Sequence, residues 1–575
     1  MPAENHPWEL EKKKLGDSMT VSGAAYLAHF FKNYGITHVF FVDAIVRKAL
    51  VEIEPLGIKR VLAHSEKAAA YMADGYARIA RKPGICMSQS VGAANLAAGL
   101  QDAFLGNSPV IAITGRKDPI FQYRNAYQEI FHHRMFEPVT KFNARLESVE
   151  QLPFLLRQAF REATTGKNRP VHIDILGHLG QSTEKAQFPS EIIVESGYTS
   201  CPAHRPEPDM NKVKAAASLL KDSQKPVIVA GGGVKASGAQ KELTRLAEKL
   251  LAPVATSANG KGAILDTHPL SVGVVGSYSK ESANQVVSKA DLVLFVGSGT
   301  GDMVTHNWTL PSYHIPIIQI DIDPSELGRN YPNAVGIHGD ARTTLSRLIE
   351  SLELPNRDRL WADSAKSVVR QWSDRVASSK LSGAIPIRPE RLCQEISNAL
   401  PENAVVVADT GYSTIWTSVM VDLGHPDQSY IRAAGSLGWA FPASLGAKCA
   451  APDRPVICFS GDGGFWYHLS DLETAARCKI NTITIINNNS CFSQCEVGVQ
   501  QAYGDKAGQK NELYMHNPTN FAKIAEDMGC TGIRIENPDL LKGALNDALS
   551  SDAPVLIDVV TDKNSKPPWS PEYYK

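Results

Sequence analysis

Apolar residues in this chain fall into short continuous runs, separated by longer stretches in which they recur every three or four positions. The first pattern predicts buried strands and the second amphipathic helices. Ser22 can cap a helix running to Tyr34, Gly35 can end it in a left-handed turn, and His38–Val42 follows as a strand. The helical run Glu66–Ala80 precedes Ile85–Ser88, a small-residue helix over Val91–Leu105 precedes Val110–Thr114, and Val171–Leu176 closes the region. Strands separated by helices of this length imply a parallel sheet covered on both faces. Residues 183–212 lose the periodicity, collect proline and polar residues, and read as a linker. A second block carries Val227–Ala230, Leu292–Val296 and Pro316–Ile320, and ends near Leu352. A charged stretch with Trp361 and Trp372 leads to Pro386, after which Val405–Ala408, Val456–Phe459, Thr482–Ile486 and Val555–Val560 form a third block. The fold class is therefore α/β, with three doubly wound parallel-sheet domains expected at 1–185, 205–355 and 385–575.

Composition narrows the function classes. With 43% hydrophobic and 21% charged residues, the 575-residue chain is an ordinary globular one. Lys plus Arg (59) balances Asp plus Glu (60), so no cationic surface for nucleic acid or an anionic membrane is expected. No run of about 18 apolar residues occurs to span a membrane. The N-terminal MPAENHPWELEKKKLGDSM lacks the apolar core of a secretion signal. The cysteines, 9 in number and without CxxC pairs, read as reduced thiols of a cytoplasmic protein. Small molecules and copies of the chain itself are the expected partners.

The segment Val456–Ser490 carries the most chemistry. One apolar strand ends in Gly461-Asp462-Gly463-Gly464, a helix follows, and a second strand ends in Asn487-Asn488-Asn489. Both ends fall on the carboxyl edge of a parallel sheet, where open α/β folds bind ligands. The glycines let a bulky anion approach the backbone, and the helix start offers N–H donors. An Asp carboxylate and an Asn carbonyl are hard oxygen ligands that suit Mg²⁺. Together they imply a diphosphate held through magnesium; a glycine turn and an Asn-rich loop without a ligand is the alternative.

This GDG…NN pattern resembles the cofactor motif of the thiamine-diphosphate-dependent enzymes, and the segments around Asn95 and Gln128 resemble those of the acetolactate synthase and pyruvate oxidase branch. The resemblance makes Asp462 and Asn489 side-chain metal ligands and Cys491 a ligand through its backbone carbonyl, with Gly463, Gly464 and Phe492 beside the cofactor. The run from His64 to Arg78 resembles the family's pyrimidine-domain signature, with Glu66 as the carboxyl group that hydrogen-bonds the aminopyrimidine ring. Asn95 lies in a segment similar to the one after the glutamate helix, and Gln128 occupies the position of the Gln in an FQE motif. Asp409-Thr410-Gly411-Tyr412-Ser413 resembles a diphosphate-contacting loop, which gives Tyr412 and Ser413. Gly435-Ser436-Leu437-Gly438 resembles a GTMG turn, in which Gly435 borders the cofactor and Leu437 is the wedge that bends it. The resemblance implies a homodimer or homotetramer with the active site at the subunit interface, acting on a small carbonyl substrate.

Three departures mark the chain. Val42 runs straight into Asp43–Lys48, about four residues shorter than the family's Pro-Gly-Gly loop. Ser90-Val91-Gly92 replaces a GPG turn. Gly299–Met303 replaces the arginine-containing stretch that helps hold FAD, which weighs against flavin. His132 and His133 are candidates for proton transfer to substrate, with loop histidines as the alternative. Gln494 and Glu496 lie just past the metal loop, and Arg47, Lys48 and Arg124 can meet a substrate carboxylate. The leading reading is acetolactate synthase-like carboligation at a 2-oxo acid, with decarboxylation or C–C lysis as the alternative. Gly231-x-Gly233 and GSGTG at 297–301 loosely fit a nicotinamide-dependent oxidoreductase.

Overall fold

In the computed structural model, residues 19–353 and 358–567 are described. The N-terminal stretch that lacks an apolar signal core lies, apart from Met19, outside them. Among the described residues the chain forms three six-stranded sheets and one two-stranded ribbon. Every pairing within the three large sheets is parallel. With the strands of each sheet numbered along the chain, the first and third sheets share the order 2-1-3-4-6-5, and the middle sheet runs 3-2-1-4-5-6. All three are doubly wound, with a switch point beside their first strand.

The central strands coincide with the continuous apolar runs, because a strand covered on both faces has no polar side. Val171–Leu176, Leu292–Val296, Val405–Ala408 and Val555–Val560 are such strands. The helix Gly23–Asn33 is capped by Ser22, whose Oγ accepts from Ala25 N at 3.2 Å, and Gly35 follows with φ 73°. The edge strands Lys59–Leu62, Phe142–Arg145 and Thr531–Ile535 lack an apolar run and escape the pattern.

Two stretches differ from the sequence reading. The linker region contains the helix Gln181–Lys185 and the strand Gln187–Pro189, which pairs antiparallel with Thr20–Ser22 and fastens the chain back onto its own start. The charged stretch around Trp361 is the helix Leu360–Lys380; Trp361 Nε1 donates to Pro226 O at 3.0 Å and Trp372 is buried. No helix of the described residues is long and apolar enough to cross a membrane.

The chain divides into two compact units, one of residues 1–77 and 82–203 and one of residues 78–81 and 204–575. On one face of the first unit's sheet, Phe30 stacks on Tyr34 with ring centroids 4.3 Å apart and Phe160 lies 4.5 Å from Tyr34. In the second, the middle and third sheets are joined by Asp266, whose Oδ2 accepts from Leu423 N at 2.8 Å. Phe160→Ala is expected to destabilise the first unit by about 3–5 kcal/mol, the cost of a large aromatic deletion in a close-packed core. Urea unfolding followed by a probe in that unit measures it; an unchanged midpoint would contradict the packing.

Candidate functional site

The third sheet places strands 405–408 and 456–461 side by side at its switch point, and Asp409 and Asp462 stand at their carboxyl ends. Both side chains are buried. Asp409 has a structural part: its Oδ1 accepts from Thr410 N at 2.8 Å, its Oδ2 from Ser460 Oγ at 3.0 Å, and both oxygens from Gly438 N at 3.1 Å. One carboxylate thus ties the 409–413, 435–438 and 460–464 loops together. Gly464 must lack a side chain there, because a Cβ would sit 2.7 Å from Asp409 Oδ2.

Asp462 opens the one-turn helix Asp462–Phe465 and receives backbone N–H bonds from Gly463, Asn489 and Cys491. Burial pushes its carboxyl group up to about 7 even though these donors pull it down. The next strand, Ile483–Asn488, delivers the asparagines. Asn488 is used structurally, its Nδ2 donating to Asp558 Oδ1 at 2.8 Å. Asn489 Nδ2 donates to Ser493 Oγ at 2.9 Å, while its Oδ1 is buried without a hydrogen-bond partner among the described residues. Ser490 turns left-handed with φ 54°, and Cys491 forms a bridge to Met515. Burial pushes the Cys491 thiol up to about 11. The Phe492 ring lies over Gly463, where a Cβ would meet it at 2.4 Å.

These residues fit an oxygen-liganded divalent cation. The buried carboxylate needs positive charge, the orphaned amide oxygen needs an electrophile, and both are hard ligands. Beside them, Gly411 with φ 67° starts the helix Tyr412–Met420, Ser413 is buried, Leu437 is half-buried, and Gly435 is exposed with open space where a Cβ would stand. Gln494 Nε2 donates to Tyr278 OH at 3.0 Å, and Glu496 pairs with Lys566 at 3.5 Å.

In the first unit, Glu66 begins the helix Glu66–Ala80 and accepts from Asn95 Nδ2 at 2.9 Å. Gly92 gives it room, since a Cβ would fall 2.3 Å from Glu66 Oε1. Ser90 Oγ donates to Gln128 O at 2.7 Å and so brings Gln128 to the same loop. Next to it a cavity of about 650 Å³ is lined by Ser90, Gln128, His132, His133, Arg116 and Lys117 among others. His132 is buried against Asp174, whereas His133 is half-buried and held below the usual imidazole range by desolvation. The short loop after the first strand turns through Ala44 and Val46, with φ 85° and 38°, and buries Ile45 and Val46 in the core. Arg47 is exposed and paired with Asp43 at 3.0 Å, and Lys48 and Arg124 are exposed as well.

The glycines of the middle sheet serve packing. A Cβ on Gly231 would lie 2.0 Å from Gly297 O, and one on Gly233 2.6 Å from Gly297 Cα, so the two dinucleotide-like loops abut. Thr256 ends the strand on which a nicotinamide site places an acidic residue. Sequence reasoning gave no role to Asp409 or Asp174; their signal was an acid set directly after, or inside, an otherwise apolar strand.

Three family models match in succession: thiamine pyrophosphate enzyme, N-terminal TPP binding domain, over residues 21–135; the central domain over 213–348; and the C-terminal TPP binding domain over 409–559. A probable acetolactate synthase large subunit of Methanococcus aeolicus is 33% identical over 91% of this chain and 88% of its own length. The chain belongs to the thiamine pyrophosphate enzymes. An acetolactate synthase large subunit of Haemophilus influenzae is 28% identical over 95% of both chains. A putative thiamine pyrophosphate-containing protein, YdaP, of Bacillus subtilis is 28% identical over 95% of this chain and 92% of its own. In this thiamine pyrophosphate enzyme Glu66, Asn95 and Gln128 fall in the N-terminal match, and Asp409, Asp462 and Asn489 in the C-terminal one. Gly463→Ala is expected to push Phe492 off the 489–491 turn and lower thiamine diphosphate affinity at least tenfold, about 1.4 kcal/mol. Calorimetric titration checks this, and wild-type affinity would show that the close approach is dispensable.

Proposed function

We propose that this enzyme makes or breaks a carbon–carbon bond at a 2-oxo acid in a thiamine diphosphate- and Mg²⁺-dependent reaction, as an acetolactate synthase-like carboligase. The observation that carries the reading is the pairing of a buried Asp462 carboxylate with the unpartnered Asn489 oxygen at the sheet's switch point. The relatives named acetolactate synthase along nearly the whole chain support the choice of reaction. Segments 1–185 and 385–575 are the two cofactor-binding domains, and 205–355 is a spacer between them.

Thiamine diphosphate supplies, when bound, a nucleophilic carbon that adds to a carbonyl and takes up the electron pair released by C–C cleavage. The protein does the rest. Asp462, Asn489 and the Cys491 carbonyl hold Mg²⁺, while Gly463, Gly464, Tyr412, Ser413 and Gly435 border the diphosphate. Leu437 would pack against the bound cofactor, and Phe492 closes the 489–491 turn. Glu66 shares a proton with the pyrimidine ring nitrogen, with Asn95 orienting its carboxylate and Gln128 bordering the same loop. His132 and His133 meet the substrate from the cavity. Two histidines there also favour a second reading, decarboxylation with protonation of the product carbon. A stretch of exposed apolar side chains, Ile120, Phe121, Tyr123, Tyr127 and Phe131, runs up to these histidines. A second copy of the chain covering them, as a homodimer or homotetramer, suits a patch of this kind.

Purified enzyme given pyruvate, thiamine diphosphate and Mg²⁺ is expected to release acetolactate, and acetaldehyde if the second reading holds. Failure to turn over any 2-oxo acid while binding the cofactor would defeat both. Glu66→Gln is expected to keep thiamine diphosphate affinity within a few-fold and to lower kcat by a factor on the order of 10² or more. Unchanged kcat would remove Glu66 from the mechanism.

A further inference from the structure

Four polar side chains meet where the first unit's sheet faces its cavity. His172 and Asp174 are two residues apart on the strand Val171–Leu176 and so project from one face. Thr114, on the adjacent strand, is in register with Asp174, and His132 enters from the 3-10 turn His132–Val139. All four are buried, where a polar group without a hydrogen bond is costly. Their protons can be followed from one end of the cluster to the other.

Asn143 Nδ2 donates to the His133 carbonyl at 2.9 Å, which turns its Oδ1 toward His172 Nδ1, 2.7 Å away. That oxygen only accepts, so His172 carries its proton on Nδ1 and presents a lone pair on Nε2. The Thr114 hydroxyl has one proton for two acceptors, Nε2 at 2.6 Å and Asp174 Oδ1 at 2.9 Å. Desolvation holds His172 well below the usual imidazole range, so it stays neutral, and its ring stacks on Phe136 at 3.6 Å. Whichever acceptor receives the Thr114 proton, the Asp174 Oδ1 carboxylate oxygen accepts from His132 Nε2 at 3.0 Å, with the Thr114 oxygen at 3.1 Å. The carboxylate requires a proton on that nitrogen. Neutral His132 therefore keeps its lone pair on Nδ1, which is buried and has no hydrogen-bond partner among the described residues. His133 Nδ1 is likewise without a partner, yet no hydrogen bond to a carboxylate fixes its ring among the described residues.

We propose that His132 Nδ1 is the atom that exchanges a proton with the substrate in this cavity, and that Asp174, Thr114 and His172 are positioning residues that set its tautomer and orientation. The inference rests on the carbonyl chemistry proposed above and names its proton carrier. When a hydroxy ketone is cleaved, its O–H bond breaks and the proton bonds to Nδ1, the O–H electron pair forms the C=O bond, and the pair of the broken C–C bond leaves with the other fragment. The imidazolium so formed has Asp174 against its Nε2–H. In the bond-forming direction the Nδ1 proton passes to the carbonyl oxygen as its carbon gains the new bond.

The test uses the full-length protein labelled with ¹⁵N-histidine, with the His132 signals assigned by their loss in His132→Gln. The expected spectrum shows neutral His132 protonated on Nε2; protonation on Nδ1 would overturn the proposal, whether or not any variant folds. Asp174→Asn can donate to Nε2 and is expected to move the proton to Nδ1, lowering kcat by a factor on the order of 10² or more with KM and thiamine diphosphate affinity within about twofold. Imidazole is expected to restore part of the turnover of His132→Gly. Wild-type kcat in Asp174→Asn would overturn the proposal. Absence of wild-type turnover on every 2-oxo acid would defeat the proposed function alone, since the tautomer is read without substrate.

Discussion

A carboxylate buried at the end of a parallel strand must find compensating positive charge or give up its own. Asp462 is in this position: backbone amides donate to it, and burial still lifts it to about 7. The loops around it are arranged to leave that demand open. Asp409 consumes its own acceptors on neighbouring loop donors and so makes a rigid frame, whereas among the described residues the Asn489 amide oxygen beside the buried Asp462 has no partner. A divalent cation carrying a diphosphate would fit there, and the glycines at 463 and 464 leave room for it.

The first and third sheets share one strand order, yet they use it for different chemistry. In the third, the carboxyl edge carries glycine, Asp and Asn, which suits metal and phosphate. In the first, it carries Glu66 against Asn95 and, further along the sheet, a hydrogen-bonded group of Thr, His and Asp beside a cavity. Phosphate binding needs backbone donors and room, while proton transfer needs side chains held at fixed distances. The middle sheet spends its glycines on bringing two of its own loops together.

Much of this could be read from the chain. Central strands are apolar on both faces, so Val405–Ala408 and Val555–Val560 declare themselves. Edge strands such as Lys59–Leu62 face solvent, lose that signature and pass for loops. The helix Leu360–Lys380 carries few apolar residues and buries little more than Trp372 and two alanines, which left its stretch looking like a charged connector. The strand ends at Asp462 and Asn489 stood out as candidates because glycine and asparagine there have few other uses in such numbers. Asp409 and Asp174 were not, since their importance lies in partners brought from loops and strands distant in sequence. The short loop at Val42–Lys48 was visible as a departure, but only the fold shows Ile45 and Val46 turned into the core.

The central claim is that Asp462 and Asn489 hold the cofactor through a cation. Calorimetric titration of the apo-enzyme with thiamine diphosphate, in Mg²⁺ and again in excess chelator, tests it most directly. The account predicts tight binding with Mg²⁺ and an affinity at least a hundredfold weaker without it, a difference of about 2.7 kcal/mol. Equal affinity in chelator would contradict it.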